Sequence, residues 1–427
     1  MENQNKTTPL FEQHVADGAK MGNFGGYQMP LWYPSGPKDE HLSVIQRAGI
    51  FDTSHMAAIT VKGADSYELL QHCFTKNLGA CIGLKKTPLV EGRCVYGLFL
   101  NEQGGVIDDA LVYQCNDNHY MIIVNAAMGS MISSHLKRNN QGGVEINDLT
   151  DKLGKVDIQG PKSVKILEKL IQNPDVVLEK MPYFSFKGYF DPSVHAKCSV
   201  TLLDGTPILL SRTGYTGEFG FEIFIESNAV TKLWEKAIEA GKEYNAITCG
   251  LAARDSLRVG AVLPLSHQDI GDWPFCNNPW PFALSYDDDG DNFTKKSFIG
   301  AESFTQKCTS EFTFPFVGFD PRKIIPGEGT SVVDKDNQPI GSILTCATDM
   351  AIGRAEGVVY SIASSDIPES LKIRGLCCGF VKTTIALESG QIVYLKDAKR
   401  QIKVEIVKDI RPARTARIAI KKMRDNI

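Results

Sequence analysis

The 427-residue sequence contains no Cys-x-x-Cys pair among its 11 cysteines, and only Cys377 and Cys378 are adjacent. An odd number of cysteines without ligand spacing reads as reduced thiols in a core, not as a metal centre or a disulfide framework. No apolar run approaches the length of a membrane span, so no membrane association is expected. Strong charge of either sign is also missing: the formal net charge is −4 and the isoelectric point about 6.1, which gives no argument for nucleic-acid binding. The polar start, Met1 to Thr8, lacks the basic and apolar regions of a signal peptide and the arginines of a transit peptide, so the expected location is the cytosol. No Gly-x-Gly-x-x-Gly fingerprint opens the chain.

What is present centres on Arg212-Thr213-Gly214-Tyr215-Thr216-Gly217-Glu218-Phe219-Gly220-Phe221-Glu222. Glycines at every third position let a backbone turn sharply and approach a ligand, and Glu222 then alternates with Phe221 and Ile223 as a strand residue does. Alone, the segment reads better as a glycine-rich hairpin with a solvated glutamate. A second segment, Gly104-Gly105-Val106-Ile107-Asp108-Asp109, enters an alternating run through a carboxylate pair. Adjacent strand residues point to opposite faces, so only one of Asp108 and Asp109 can face a given cavity. That aspartate could move a proton on a nitrogen, or the pair could simply cap a turn. In a third segment, Gly250 to Arg258, helical spacing places Arg254 and Arg258 four apart on one face, as a grip for a carboxylate or as surface partners of Asp255.

These segments stand in a longer series. It includes Thr8-Pro9-Leu10-Phe11 with His14, Phe24-Gly25-Gly26-Tyr27-Gln28-Met29-Pro30-Leu31, Gly49-Ile50-Phe51-Asp52-Thr53-Ser54-His55-Met56, Val124-Asn125-Ala126-Ala127, Gln159-Gly160-Pro161 and Leu263-Pro264-Leu265. In this order, over about the first 270 residues, the chain resembles the T protein of the glycine cleavage system, a folate-dependent aminomethyltransferase. The resemblance implies an α+β fold of T-protein-like subdomains with antiparallel sheets around a folate channel, with a small C-terminal β-barrel. It implies tetrahydrofolate as one-carbon acceptor, and as partner the lipoylated H protein, whose arm carries the aminomethyl group. Methylene-tetrahydrofolate and ammonia are the products, and the enzyme is a monomer when free. By motif position Asp109 matches the catalytic aspartate, Glu222 the pterin-gripping glutamate and Arg254 the folate-binding arginine. Met56 matches a pocket-lining methionine, and Tyr96, Tyr113 and Asn125 are further liners. His55 stands without a partner at ligand spacing and reads as structural.

Several departures bear on the donor. A glutamate expected before Ala-Gly after Arg258 is absent from Val259-Gly260-Ala261, and a Gly-Leu-Gly-Trp segment is replaced by Asn278 to Leu284, its tryptophan lost or relocated to Trp280. His267 stands where Tyr-Gly is usual. These changes keep open a demethylase that takes a methyl group from a small donor. An iron–sulfur maintenance protein would need a cysteine that Lys295 to Glu302 lacks, and a sarcosine-type oxidase would need the missing dinucleotide motif.

Periodicity predicts helices over Pro37–Ala48, Ser66–Phe74, Gly160–Ile171, Ala229–Ala240 and Leu251–Gly260, interleaved with short strands that include Val106–Gln114, Ser199–Leu203 and Phe221–Ile225. From Phe314 onward strands and turns predict a small all-β unit, with a boundary near residues 303 to 313, so the expected division is 1–305 and 312–427. From Lys399 to the end ten basic residues stand against three acidic ones, a charge of +7 that leaves −11 for the rest. Such an end could dock an acidic partner or be a solvated tail. Asp287-Asp288-Asp289-Gly290-Asp291 places Phe298 at the twelfth position of a would-be calcium loop and reads as an acidic surface loop.

Overall fold

The computed structural model describes residues 5–194, 197–275, 277–286, 294–295, 297–304 and 311–425. The acidic run 287–291 lies outside them, as does most of the expected boundary.

The fold is α+β, built on antiparallel sheets. A five-stranded sheet is ordered Arg93–Leu100, Val106–Asn116, His119–Val124, Ala57–Lys62 and Glu145–Asp148, every pair antiparallel. Its inner face buries Ile59, Val61, Val112, Ile122 and Val124 against helices Ser66–Cys73 and Gly129–Asn139, which carry Leu69, Leu70, Ile132 and Leu136. The opposite face is covered as well, with Ala58, Tyr113, Met121 and Ile123 in a second buried cluster. A second sheet, of six strands, runs Phe186–Lys187, Leu209–Ser211, Gly220–Glu226, Leu153–Gln159, Gly49–Asp52 and Ile247–Thr248. Its apolar cover includes Leu233 and Trp234 of the Val230–Gly241 helix, with Trp234 fully buried.

The last third closes into a six-stranded barrel: Phe312–Gly318, Leu376–Thr383, Pro339–Asp349, Ser331–Val333, Ile392–Lys396 and Gln401–Ile406, which returns to the first strand. Closure leaves no edge to pair with another chain. One apolar cluster joins barrel to sheets: Leu98, Val106, Val259 and Trp280 pack with Val317, Cys378, Phe380 and Ile410. Trp280 meets the Phe380 ring edge-on at 5.1 Å and donates its indole N–H to the Val262 carbonyl at 3.0 Å.

A buried polar clamp spans the same junction. Asp349, from the barrel, accepts from His41 Nε2 at 2.8 Å and from Arg411 Nη1 at 2.6 Å, while Arg411 Nη2 reaches Glu218 at 3.2 Å. Burial alone would raise the Asp349 carboxyl, but His41 and Arg411 outweigh it and hold it well below the usual carboxylate range. Gly260 explains why the clamp fits. A Cβ there would lie 2.0 Å from Asp349 Oδ2. Asp349 thus fills the space that a side chain at position 260 would enter, and glycine makes the room.

Expectation and structure differ in places. The Leu251–Gly260 helix forms over the predicted residues. The Gly160–Ile171 helix shrinks to Ser163–Glu168. Ser199–Leu203 makes only isolated bridges, Ile171 to Leu202 and Thr201 to Pro207, and is not a strand. Among the described residues no helix is long and apolar enough to cross a membrane, and the nine described cysteines are free thiols.

Candidate active site

A cavity of about 1350 Å³ lies between the two sheets, the Leu251–Gly260 helix and the Lys408–Arg417 segment. It has two polar ends. The first begins at Asp109 on the Val106–Asn116 strand. The strand enters through a register shift that leaves Ile107 without a cross-strand partner beside Asp108, the kind of bulge that re-aims neighbouring side chains. Asp109 lines the cavity, while Asp108 is wholly buried behind it. Tyr96 donates its hydroxyl to Asp109 Oδ2 at 2.8 Å. The Asn125 side-chain amide donates to both carboxylates, to Asp108 at 2.8 Å and Asp109 at 2.5 Å, and the Asn125 backbone N–H donates to Asp108 at 2.9 Å. Burial, followed by the neighbouring Asp109 carboxylate, pushes Asp108 up to about 7. Burial likewise raises Asp109, against the hydrogen bonds from Tyr96 and Asn125. Two carboxylates this close titrate as a pair.

The second end is built on strands Leu153–Gln159 and Gly220–Glu226, where register sets Asp157 directly opposite Glu222. Like charges facing each other across a sheet repel. Lys155, two residues before Asp157 and on the same face, resolves the conflict: its ammonium donates to Asp157 Oδ1 at 2.7 Å, Glu222 Oε1 at 2.5 Å and Thr53 Oγ1 at 3.1 Å. Arg254 Nη1 takes the other Asp157 oxygen at 3.0 Å, and its guanidinium lies 4.9 Å from the Tyr215 ring centre. The Thr213 hydroxyl donates to Glu222 Oε2 and is bonded in turn to Ser211 at 2.6 Å. Lys155, Glu222 and Asp157 are all buried, yet Lys155, Glu222 and Arg254 face the cavity.

Of the residues singled out from sequence, Asp109, Glu222, Arg254, Met56, Tyr96 and Asn125 line this one cavity. Tyr113 does not. It is fully buried behind Thr213, between the Phe186 and Phe224 rings, because its strand position turns it into the space between the sheets. The Arg254–Arg258 pair also divides: both reach the cavity wall, but Arg258 is fully buried and committed to Asp255 at 2.8 Å and to Asp269. His267 is half-exposed, with Nε2 3.7 Å from Asp108. His55 lines the cavity but is buried, its Nδ1 unpartnered, and burial followed by Arg254 lowers it to about 4, so it is neutral. The glycines of the Gly214 to Gly220 run serve packing as much as access, since a Cβ at Gly214 or Gly220 would strike Gln159 Oε1 at 2.2 or 2.4 Å.

Lys155 and Asp157 escaped the sequence reading. The visible signal was a pair of charges at alternate positions of an otherwise apolar strand, Lys155-Val156-Asp157-Ile158. The cavity's basic rim was foreshadowed by the cationic C-terminal segment, which contributes Lys408, Arg414 and Arg417. Among the described residues no group of three His, Cys, Asp or Glu is placed to hold a metal.

Comparison with known proteins agrees with this geometry. Residues 10–273 match the family model described as the GCVT N-terminal domain. An aminomethyltransferase of Bacteroides fragilis is 32% identical over 407 residues, covering 94% of this chain and 98% of that protein. One from Caldanaerobacter subterraneus is 37% identical over 345 residues, covering 80% and 83%. The crystal structure of the glycine cleavage system aminomethyltransferase T from Bartonella henselae superposes with a TM-score of 0.73 at 25% identity, over 94% of this chain and 97% of that one. The chain belongs to the aminomethyltransferase family of glycine cleavage T proteins and is an enzyme of that class.

Proposed function

We propose that the cavity accepts tetrahydrofolate and that an aminomethyl group enters on the lipoyl arm of an H protein. The observation that carries the reading is one cavity with two different carboxylate ends: the Asp109 pair at one, salt-bridged Glu222 beside Arg254 at the other. A pterin ring presents an N–H and amino edge that a carboxylate accepts from twice, which suits Glu222. The basic rim at Lys408, Arg414 and Arg417 suits an anionic tail.

In the overall reaction the carbon breaks its bonds to sulfur and to nitrogen and becomes bound to two folate nitrogens. The two protons those nitrogens lose go to the departing thiol and to ammonia. Tetrahydrofolate supplies the nucleophilic nitrogens. Asp109 supplies an oxygen that can take and return a proton, because burial keeps its carboxyl from ionising as early as an exposed one. Tyr96 and Asn125 fix that oxygen's direction. The mostly apolar walls, with Phe24, Leu31, Ile123 and Leu251, exclude water from the reacting carbon. We further propose that residues 1–305 and 312–427 act as two units, the second holding the Leu251–Gly260 helix through Asp349.

The departure at position 260 does not speak for a small methyl donor, because Gly260 packs on Asp349 and neither lines the cavity. The replaced segment does reach the wall, where Phe282 packs 5.5 Å from the Tyr96 ring centre. The test is formation of methylene-tetrahydrofolate and ammonia from tetrahydrofolate and aminomethylated H protein, with free methyl donors in parallel. Ammonia release from the H-protein substrate alone supports the reading. Methyl-tetrahydrofolate from a small donor, with silence from the H protein, overturns it.

A further inference from the structure

The family resemblance points to Glu222 and Arg254, but neither stands by itself in this structure. Their charges are coupled through two residues of one strand, Lys155 and Asp157. Each of the three Lys155 ammonium protons has an acceptor: Glu222, Asp157 and the Thr53 hydroxyl. No proton remains for a ligand. Lys155 therefore faces the cavity without being available to bind what enters it.

Its consequence is felt at Glu222. One Glu222 oxygen accepts from Lys155 and the other from Thr213, whose own hydroxyl is tethered to Ser211. A buried carboxylate with a fixed cation on one oxygen and a fixed hydroxyl on the other has a single orientation. Each oxygen keeps a further lone pair. Asp157 performs the matching task for Arg254: it takes Nη1 and leaves the rest of the fork directed at the cavity. The four side chains sum to zero charge, two cations against two carboxylates.

From this arrangement we infer that Lys155 is a positioning residue for the acceptor substrate, holding Glu222 aimed as a hydrogen-bond acceptor, with Asp157 as the shared counter-charge that holds Arg254. The inference rests on the acceptor reading above. It places affinity for the folate ring under the control of a lysine that does not touch it.

The test is a double-mutant cycle on tetrahydrofolate binding, read by anaerobic calorimetry on the full chain, with Tm recorded for each variant. Wild-type protein that fails to bind tetrahydrofolate sinks the acceptor reading itself, whatever the variants do. Given wild-type binding, Glu222→Gln weakens it by about 10- to 100-fold, the scale of a charge-assisted hydrogen bond. Lys155→Met alone leaves Glu222 without its cation and weakens binding by a similar factor. The neutral pair Lys155→Met/Glu222→Gln binds no more weakly than Glu222→Gln, because Lys155 acts on the ring through Glu222 while Asp157 still holds Arg254. The comparison of the pair with Glu222→Gln holds even where Lys155→Met alone fails to fold. Turnover with saturating acceptor separates the roles further: KM for tetrahydrofolate rises in Lys155→Met while kcat stays within a few-fold. Undiminished affinity in Lys155→Met overturns the inference. So does additive loss in the double variant, or a fall in kcat at unchanged KM.

Discussion

The two ends of the cavity meet the same physical difficulty in opposite ways. Each buries two carboxylates close together. At the Glu222 end the negative charge is opposed by Lys155 and Arg254. At the Asp109 end, among the described residues, no lysine or arginine pairs with either aspartate, and the nearby imidazole is that of half-exposed His267, 3.7 Å from Asp108. Where a counter-charge is built in, the carboxylates are held in place by cations, which suits recognition. Where none is, burial pushes both carboxyls up, Asp108 to about 7, which suits chemistry.

The most severe test of that contrast is Asp109→Asn, expected to retain tetrahydrofolate binding while losing roughly 10²- to 10⁴-fold in turnover, the range of a lost acid–base group. Equal turnover removes Asp109 from the mechanism. At the opposite end, Arg254→Ala should raise KM for tetrahydrofolate by about 10- to 100-fold with little change in kcat, the loss of a charge-assisted contact. A kcat defect there would erase the division of labour.

A subtler effect separates the two carboxyls of the pair. Below the ordinary carboxyl range Asp108 is protonated folded and unfolded, so it costs nothing. As pH rises toward about 7 the unfolded form has ionised but the folded form resists, and stability falls. Asp108→Asn should therefore gain on wild type between pH 5 and pH 8 by on the order of 1–3 kcal/mol, measured by urea unfolding. A constant difference across that range would show that the burial cost is absent. The smallest expected change is in Tyr96→Phe. Losing the hydroxyl that favours ionised Asp109 moves the acid limb of the turnover profile to higher pH, with a rate loss of about tenfold at neutral pH. An unshifted limb would detach Tyr96 from Asp109.

Legibility from sequence followed locality. The Leu251–Gly260 helix was readable residue by residue because its start, its apolar spacing and its glycine end are all local. The Arg93–Leu100 strand, wholly apolar after Cys94 except for Tyr96, had no period to distinguish it and was missed. Ser199–Leu203 carried the composition of a strand, but partners arrived only as single bridges. In the site, motif position located the cavity's liners, whereas Tyr113, on the same strand face four residues beyond Asp109, lies past the cavity's edge beneath Thr213. Lys155 stayed hidden because its meaning depends on what lies across the sheet: Glu222 is 67 residues away in sequence. The exchange of space at 260, where glycine makes room for Asp349, was likewise invisible in a linear reading.

That last exchange has a temporal side. Ribosomes deliver the chain from its N-terminus, and domains fold largely in that order. When residue 260 emerges, His41 and Glu218 already exist, but Asp349 and Arg411 have not been made. The helix that carries Arg254 must wait for nearly the whole polypeptide before its underside is electrically complete. Nascent chains arrested before residue 349 should therefore leave that helix open to protease, and chains released beyond 411 should close it.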